Sequence, residues 1–398
     1  MVIVFWACLA TVIYVYLGYP LLLSLDVFGR PMAIRRERSP ASWPTVSVIV
    51  AAHNEESQIE AKIRNILDSE YPRARIEILI GSDGSSDKTD SIVRRFVGQG
   101  VGLISFPQQQ GKSAMQNRLV AAASGEILVF SDADCYFSSG VIAVALQNFA
   151  DPRVGLVTAR PRYTNEADTA ITKNEGLYLR YETWLRREES RRGSLAMASG
   201  SFVAMRRSLW RPLQPALGDD FVLPLRCALA QMLNILDERI SVVTRLSEHR
   251  PRAMLRTKIR IITKDFRALL AHASLLDPFR YRALAISLWS HKLLRWLVPY
   301  FLIANIVSTC FLLDRPFFRA MLALQIGFYG LALLGCSSPE RLRSFPWSVP
   351  ASFCIVNLAA LIGTAKCFAG RTSGRWTPAR ARPSTIHIDA STHSRELK

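Results

Sequence analysis

Glu126-Ile-Leu-Val-Phe-Ser-Asp132-Ala-Asp134 is a short apolar segment that ends in two carboxylates one residue apart. The apolar run is typical of a buried strand. Carboxylates directly after such a strand can meet a hard divalent cation and a diphosphate. A lone Asp-x-Asp is more often a solvated loop, so its interpretation depends on the rest of the chain.

Polar side chains follow other apolar segments in the same way. Residues 46–52 lead into Asn54 and Glu55, and residues 76–81 lead into Asp83. Helical patterns lie between the strands, and the remaining predicted strands are 101–106, 127–131 and 154–159. The alternation predicts an α/β fold with a mostly parallel sheet and helices on both faces. Ligands of such sheets bind beyond the carboxyl ends of the strands, where Asn54, Asp83 and the carboxylate pair fall.

The composition favours a soluble domain attached to a membrane. The chain of 398 residues has 50 Lys and Arg against 32 Asp and Glu, a formal net charge of +18, and 49% hydrophobic residues. The apolar residues are concentrated at the two ends, so we expect membrane lipids as partners. No nucleic-acid reader motif accompanies the positive charge, and we expect no nucleic-acid partner.

The amino-terminal segment 2–25 carries no charge and is long enough to cross roughly 30 Å of hydrocarbon. A secretory signal peptide has a basic region before its apolar run, whereas here arginines follow it, at positions 30, 35, 36 and 38. This charge distribution predicts an uncleaved anchor, residues 1–26, with its carboxyl-terminal side in the cytoplasm.

Three more apolar segments, 293–313, 320–336 and 347–368, are candidate membrane helices. Any one of them could instead be interfacial or re-entrant. Three crossings would place the arginine-rich tail outside, against the positive-inside tendency, and an even number would return it to the cytoplasm. The sequence leaves this topology open.

The predicted membrane segments divide the rest of the chain into domains. Residues 44–250 are predicted to form a cytoplasmic domain, 251–292 a basic segment at the membrane surface, 293–370 the membrane helices and 371–398 a basic polar tail. Seven cysteines without Cys-x-x-Cys spacing argue against a zinc site or a disulfide framework. The arginine-rich regions 186–192 and 250–267 could contact anionic headgroups or a lipid-linked phosphate. For the first region, the interleaved Glu188 and Glu189 also suit a solvated helix face.

Several motifs, by their order and spacing, resemble those of the membrane-bound family 2 glycosyltransferases, which have a GT-A, Rossmann-like fold. The matching segments are 48–55, 82–87, Gly111-Lys112 with Asn117, Asp132-Ala-Asp134, Gly200 before Arg206-Arg207, Gly218-Asp219-Asp220 and Gly374-x-Trp376-x-Pro378-x-Arg380. Each motif is weak alone, and together they cover nearly the whole chain. The resemblance implies a multi-pass protein of the inner (plasma) membrane with a cytoplasmic transferase domain.

The resemblance also implies how a nucleotide-sugar donor binds. The diphosphate leaving group gains charge as the sugar departs, and Mg²⁺ or Mn²⁺ can hold it through carboxylate and phosphate oxygens. Asp134 would bind this metal, with Asp132 on the metal or on the ribose. Asp83 would face the nucleoside and Lys112 the diphosphate, although Lys112 also suits a surface lysine at a helix start. The other implied donor-binding residues are Asn54, Glu55 and Arg260.

An acceptor hydroxyl has a pKa far above neutrality, so its attack on the sugar needs a base. By the same resemblance Asp220 is that base, and Asp219 fills the first acidic position of the motif. The alternative is that both residues cap a helix beginning near Phe221, since Asp is favoured at helix starts. One base with direct displacement implies inversion at the anomeric carbon.

One departure from the family concerns product length. Processive members carry Gln-x-x-Arg-Trp after the catalytic acid, and here the corresponding stretch is Thr257-Lys-Ile-Arg260-Ile261. The tryptophan of this motif, an aromatic platform on which an acceptor sugar stacks, is absent here, so we expect transfer of one or a few sugars. The donor would be a UDP-sugar and the acceptor a glycan or lipid-linked molecule, in exopolysaccharide or cell-surface glycan synthesis. Proteins of a glycan-synthesis complex would be further partners. The alternatives are a processive polysaccharide synthase and a non-catalytic nucleotide-sugar-binding membrane scaffold, and a nucleotidyltransferase fits the motifs poorly.

Overall fold

The structure is a computed structural model that describes residues 1–37, 43–163, 170–215, 217–244, 251–338, 341 and 346–370. The tail 371–398, with its Gly-x-Trp-x-Pro motif, lies outside the described residues, as do Arg38 and Arg250. Within the described ranges, a mixed sheet covered by helices is joined to long apolar helices at both ends of the chain.

The described residues form a sheet of eight strands in the order β3-β2-β1-β4-β7-β6-β8-β5. The strands are β1 Val46–Ala52, β2 Ile76–Asp83, β3 Val101–Phe106, β4 Ile127–Ser131, β5 Tyr136–Phe137, β6 Val154–Tyr163, β7 Phe202–Arg206 and β8 Leu233–Thr244. Strands β1 to β4 pair in parallel, whereas β7 runs antiparallel to both β4 and β6. The predicted α/β fold is confirmed; its first parallel part ends at β4, and β6 and β8 form a second parallel pair.

Helices cover both faces of the sheet. They are α1 Val2–Ser24, α2 Ile59–Leu67, α3 Thr89–Arg94, α4 Lys112–Ala122, α5 Val141–Gln147, α6 Ala170–Arg191, α7 Asp219–Leu229, α8 Pro251–Ala271, α9 Pro278–Cys310, α10 Pro316–Ser337 and α11 Ser348–Phe368. Val48 and Val50 pack with α2, α3 and α5 on one face, and Ile49 packs with α4 and α7 on the other. Because alternate β1 side chains meet opposite faces, the strand is buried on both sides, and its residues other than Ser47 are apolar.

Among the described residues, α1, α9, α10 and α11 are long and apolar enough to cross a membrane. They confirm the apolar segments predicted at both ends of the chain. Helix α9 begins at Pro278, well before the predicted start at 293, because its first turns carry arginines that interrupt the apolar pattern. A π-helical turn, Leu288–Leu293, follows those turns.

Helix α11 packs lengthwise along α8. Three contacts join the helices in the same order along both: Met254 with Ala351 in one apolar cluster, Thr263 Oγ1 with the Gly363 carbonyl at 3.2 Å, and the rings of Phe266 and Phe368 at 5.5 Å. The two helices therefore run side by side in the same direction, and both ends of α11 lie close to α8.

The arginine-rich region 186–192 is largely buried where α6 meets α9. Arg192 pairs with Glu188 at 2.7 Å and its side chain is 2% exposed, and Arg186 pairs with Glu182 at 3.3 Å. Glu182 also binds polar groups of α9, namely His291, Lys292 and Arg295. Both predictions for this region, headgroup contact and a solvated face, are therefore wrong for Arg186 and Arg192. Only the folded chain brings Glu182, the partner of Arg186, into contact with α9.

Candidate active site

Asn54 and Asp83 hold together the loops at the carboxyl ends of the parallel strands. Asn54 has a φ of 57°, a left-handed conformation that asparagine tolerates, and its Oδ1 accepts a hydrogen bond from the Ser86 N–H at 2.8 Å. Asp83 is fully buried and accepts hydrogen bonds from the N–H groups of Gln110 and Gly111 at 2.7 and 2.8 Å. These side chains bind protein backbone, and their contact with a donor stays a prediction.

A cavity of about 290 Å³ lies at this edge of the sheet. The predicted site residues in its wall are Glu55, Lys112, Asp132, Asp134, Asp219, Asp220 and Arg260. A wider cavity, about 850 Å³, lies at the amino end of β4, and its wall contains none of these residues. The smaller cavity therefore brings together acids and cations from five separate parts of the sequence.

Lys112, the first residue of α4, points into this cavity. Its Nζ lies 2.9 Å from Asp132 Oδ1 and 3.0 Å from Asp219 Oδ2. Burial alone would lower the pKa of Lys112, but the charges of the two carboxylates hold that pKa well above its usual value. The lysine is thus a fixed cation between the two acidic pairs, and the alternative of a surface lysine is wrong.

The acidic pair Asp219-Asp220 opens helix α7, with Gly218 at the N-cap. The N-cap is Gly218 and both aspartates lie in the first helical turn, so neither is the cap of a helix that begins near Phe221. Asp219 instead accepts a hydrogen bond from Gln116 Nε2 at 2.8 Å and pairs with Lys112. These contacts outweigh burial and lower the pKa of Asp219.

The pKa of the neighbouring Asp220 is shifted in the opposite direction. Burial and the adjacent Asp219 charge raise the pKa of Asp220 to about 6. Two adjacent carboxylates whose pKa values are pushed apart in this way suit two roles, one fixed anion and one base. A base with a pKa just below neutrality is deprotonated at neutral pH and still able to accept a proton.

Asp265 and Lys264 of α8 also lie in the cavity wall, and the sequence did not predict them. Asp265 is buried, and a β-carbon added to Gly218 would lie 2.8 Å from Asp265 Oδ1 and 3.0 Å from Asp220 Oδ1. Gly218 therefore leaves the space that both carboxylates occupy. Burial and the Asp220 charge raise the pKa of Asp265 well above its usual value. One sequence signal pointed to them, because they follow Arg260 by one helical turn.

Asp132 and Asp134 suit a divalent cation. Their carboxylate oxygens and the Cys135 sulfur lie within 4.8 Å of one another. Desolvation and the Asp132 charge raise the pKa of Asp134, and a bound cation would relieve this repulsion. Burial raises the pKa of the Cys135 thiol, so the cysteine stays protonated and the carboxylates supply the hard oxygen ligands that Mg²⁺ and Mn²⁺ prefer.

Lys62 stabilises the loop that carries this pair, and the sequence did not predict this role. Its Nζ donates hydrogen bonds to Ser131 Oγ at 2.8 Å and to the Cys135 carbonyl at 2.5 Å, so it ties both ends of the Asp132–Asp134 loop. Burial lowers the pKa of Lys62 to about 8. The signal in the sequence is a lysine on the apolar face of α2, beside Ile59, Ile63 and Ile66.

The part of the domain that carries Lys112, Asp132 and Asp134, but not the acidic pair of α7, matches a known family. Residues 47–212 match the family described as Glycosyl transferase family 2. The beta-monoglucosyldiacylglycerol synthase of Trichormus variabilis is 30% identical over 185 residues, which cover 46% of this chain and 39% of that protein. The Synechocystis protein of the same name is 24% identical over 347 residues, covering 80% of this chain and 68% of that protein. The chain thus spans about two fifths of the first relative and two thirds of the second.

The fold has a counterpart among solved structures. A mannosyltransferase from Pyrobaculum calidifontis, in complex with GDP-Man and Mn²⁺, superposes with a TM-score of 0.69. It shares 21% of its sequence with this chain and covers 92% of this chain and 99% of its own. The likeness confirms the predicted GT-A-like architecture of a mixed α/β sheet with attached apolar helices.

Proposed function

We propose, for a chain whose residues 47–212 form a glycosyl transferase family 2 domain, that the protein transfers a sugar from a nucleotide-sugar to an acceptor at the membrane surface, with inversion and with a divalent cation. One observation carries this proposal. The carboxylate pair Asp132 and Asp134, the cation Lys112 and the acidic pair at the start of α7 line one cavity. Intact carboxylates at all these positions favour an enzyme over a non-catalytic scaffold.

The donor half of the cavity is suited to a diphosphate. Asp134 and Asp132 would hold the cation, which when bound neutralises charge on the leaving nucleotide. Lys112 and Arg260 add positive charge to the same wall. Because Asp132 and Asp219 both hold Lys112, the lysine keeps its position before the donor arrives and needs little reorganisation on binding.

The acceptor half is suited to a base-assisted attack. Asp220 takes the proton of the acceptor hydroxyl as its oxygen attacks the anomeric carbon, and the nucleotide departs from the opposite face. A single base with direct displacement gives inversion. Burial and the adjacent Asp219 charge keep the pKa of Asp220 raised, and Asp265 lines the same cavity beside Gly218.

A lipid acceptor fits the position of the base. Asp220 directly precedes Phe221, whose ring lies 5.9 Å from that of Trp296 in α9. The base therefore lies next to the membrane helices, within reach of a headgroup hydroxyl. Two relatives are named as synthases of a glucosyl lipid, which favours a diacylglycerol-like acceptor over a free glycan. The half-exposed Ile261 in the cavity wall offers no aromatic platform, which supports transfer of a single sugar.

The membrane boundary is supported by contacts of α9. Residues 296–313 carry no charge, and their helical part, up to Cys310, is about 22 Å long. Arg295, the last charge before them, lies with its Cζ 5.6 Å from the Tyr16 ring of α1. Tyrosine and arginine are both favoured at the interface. We place the cytoplasmic boundary at the level of these two residues.

Both ends of α11 lie near this boundary. The Phe353 ring is 5.7 Å from that of Tyr16, and the Phe368 ring is 5.5 Å from that of Phe266. The Phe266 ring in turn lies 5.8 Å from the ring of Trp296, which is at the cytoplasmic end of the membrane part of α9. We propose that α1, α9 and α10 cross the bilayer, that α11 lies along its cytoplasmic surface, and that the basic tail is cytoplasmic.

This topology predicts that a green fluorescent protein fused after residue 398 fluoresces and that alkaline phosphatase fused there is inactive. The same reporters inserted at Asp314, between α9 and α10, should give the opposite result. Phosphatase activity at the carboxyl terminus would contradict the proposal and require α11 to cross.

The raised pKa of Asp220 predicts the pH dependence of the reaction. Because only the deprotonated carboxylate accepts a proton, kcat should be level between about pH 7 and 8 and fall about tenfold per unit below the pKa of about 6. The measurement is kcat at saturating donor and cation from pH 5 to 8. An exposed control, Asp68→Asn, should keep the same profile, and a flat profile in the wild type would exclude Asp220 as the base.

The direct test of the proposed function is a donor panel. Purified protein in lipid nanodiscs is mixed with UDP- and GDP-sugars, with Mn²⁺, Mg²⁺ or EDTA, and released nucleotide is measured in the presence of diacylglycerol. We expect cation-dependent release from one preferred donor. If no donor is turned over even with total membrane lipids present, the scaffold alternative replaces the enzyme.

A further inference from the structure

A third cavity, whose wall shares no residue with that of the acidic site, is lined by arginines. Its volume is about 450 Å³, and it lies between β6 and α6. Arg160 and Arg162 contribute from β6, and Arg180 and Arg187 contribute from α6, with Glu238 as the acid in its described wall. The arrangement follows from local geometry, because residues two apart share a face of a strand and residues 180, 184 and 187 share a face of a helix.

The charge in this arginine cavity is only partly neutralised by the protein. Arg187 pairs with Glu238 at 3.0 Å. Arg160 and Arg180 are exposed, and within the part of the chain that is described they form no ion pair. Arg160 and Arg180 thus place two exposed positive charges in a concave site, which suits a phosphate.

The arginine cavity adjoins the membrane boundary. Trp184, which lines it, packs against the apolar cluster that Tyr19 and Leu23 of α1 form with Leu185. Tyr181, one residue after Arg180, donates a hydrogen bond to the Tyr16 carbonyl at 3.1 Å. The cavity is therefore level with Tyr16, where the headgroups of the cytoplasmic leaflet would lie.

We infer that this arginine cavity binds the headgroup phosphate of an anionic phospholipid of the cytoplasmic leaflet. Trp184 offers an amphipathic ring between the headgroup and the acyl chains, a position that tryptophan favours. The bound lipid would fix α6 against α1 and so hold the catalytic domain at a defined height above the bilayer. The inference rests on the membrane boundary proposed above and not on sugar transfer.

The test measures lipid binding rather than activity. Full-length protein in neutral detergent is titrated with dioleoylphosphatidylglycerol or dioleoylphosphatidylcholine, and bound lipid is counted by native mass spectrometry. The test variant is Arg160→Gln/Arg180→Gln, which removes two arginines without leaving an unpaired acid. The matched control is Arg75→Gln/Arg118→Gln, which removes two exposed charges elsewhere on the domain. Melting temperatures check that both variants are folded.

We expect the wild type and the control to bind phosphatidylglycerol at least about tenfold more tightly than phosphatidylcholine, and the test variant to lose this preference. Unchanged lipid binding in the test variant would overturn the inference. Equal binding of the two lipids by the wild type would also overturn it. So would displacement of the lipid by millimolar inorganic phosphate, since that marks a site for free anions. Because the test measures lipid binding, its result would stand even if the protein transferred sugar from no donor.

Discussion

Replacing Asp220 with asparagine is expected to lower kcat by about 10²- to 10⁴-fold while donor binding stays close to that of the wild type. Asparagine keeps the size of the side chain but cannot accept the proton of an acceptor hydroxyl. The measurement pairs kcat for sugar transfer with calorimetric binding of the nucleoside diphosphate. A loss in kcat without a loss in binding assigns Asp220 to the chemical step.

Two further variants test whether the loss of kcat is specific to Asp220. Asp68→Asn removes an exposed acid at the end of α2, outside the cavity wall, and should leave kcat unchanged. Asp219→Asn removes a partner of Lys112 and should weaken nucleotide binding, because the lysine loses one of the carboxylates that fix it. If Asp220→Asn retains more than a tenth of the wild-type kcat, another group is the base, and Asp265 is the nearest candidate.

Replacing Asp134 with asparagine is expected to lower the rate by about 10²-fold or more and to abolish the dependence of nucleotide binding on the cation. The amide is a weaker ligand than a carboxylate for Mg²⁺ or Mn²⁺, and Asp132 would remain alone beside Lys112. Calorimetric titration of UDP or GDP, with and without Mn²⁺, measures this effect independently of turnover.

The matched control lies in the same loop. Cys135→Ala should keep the cation dependence, because the buried thiol stays protonated and is a poor ligand for these ions. If Asp134→Asn binds nucleotide with the same cation dependence as the wild type, the metal lies elsewhere. Loss of that dependence in Cys135→Ala would instead assign a role to the sulfur.

The parts of the fold that sequence predicts are those set by local pattern. The strands that end at or near Asn54, Asp83 and Asp132 are mostly apolar because they are largely buried on both faces. The polar residues at their carboxyl ends fall at one edge of the sheet. The acidic pair of α7 was found by its motif, and the structure brings it to the same cavity. The helices at both ends of the chain follow from hydropathy alone.

What the sequence did not reveal depends on how distant segments pack. Asp265 reaches the cavity because α8 docks against the start of α7 where Gly218 leaves room, and a single sequence does not contain that contact. The antiparallel β7 interrupts the predicted parallel order because the chain returns to pair with β4. Arg192 reads as a surface charge, yet the fold buries it against Glu188.

The most direct test of the central claim is to follow the sugar itself. Protein in nanodiscs is incubated with Mn²⁺, diacylglycerol and the preferred donor carrying a labelled sugar, and the lipids are extracted and identified by mass spectrometry beside the Asp220→Asn variant. We predict a lipid that carries one labelled sugar, formed by the wild type and reduced at least about 10²-fold in the variant. Label found only in free sugar, or product formed equally by the variant, would contradict the account.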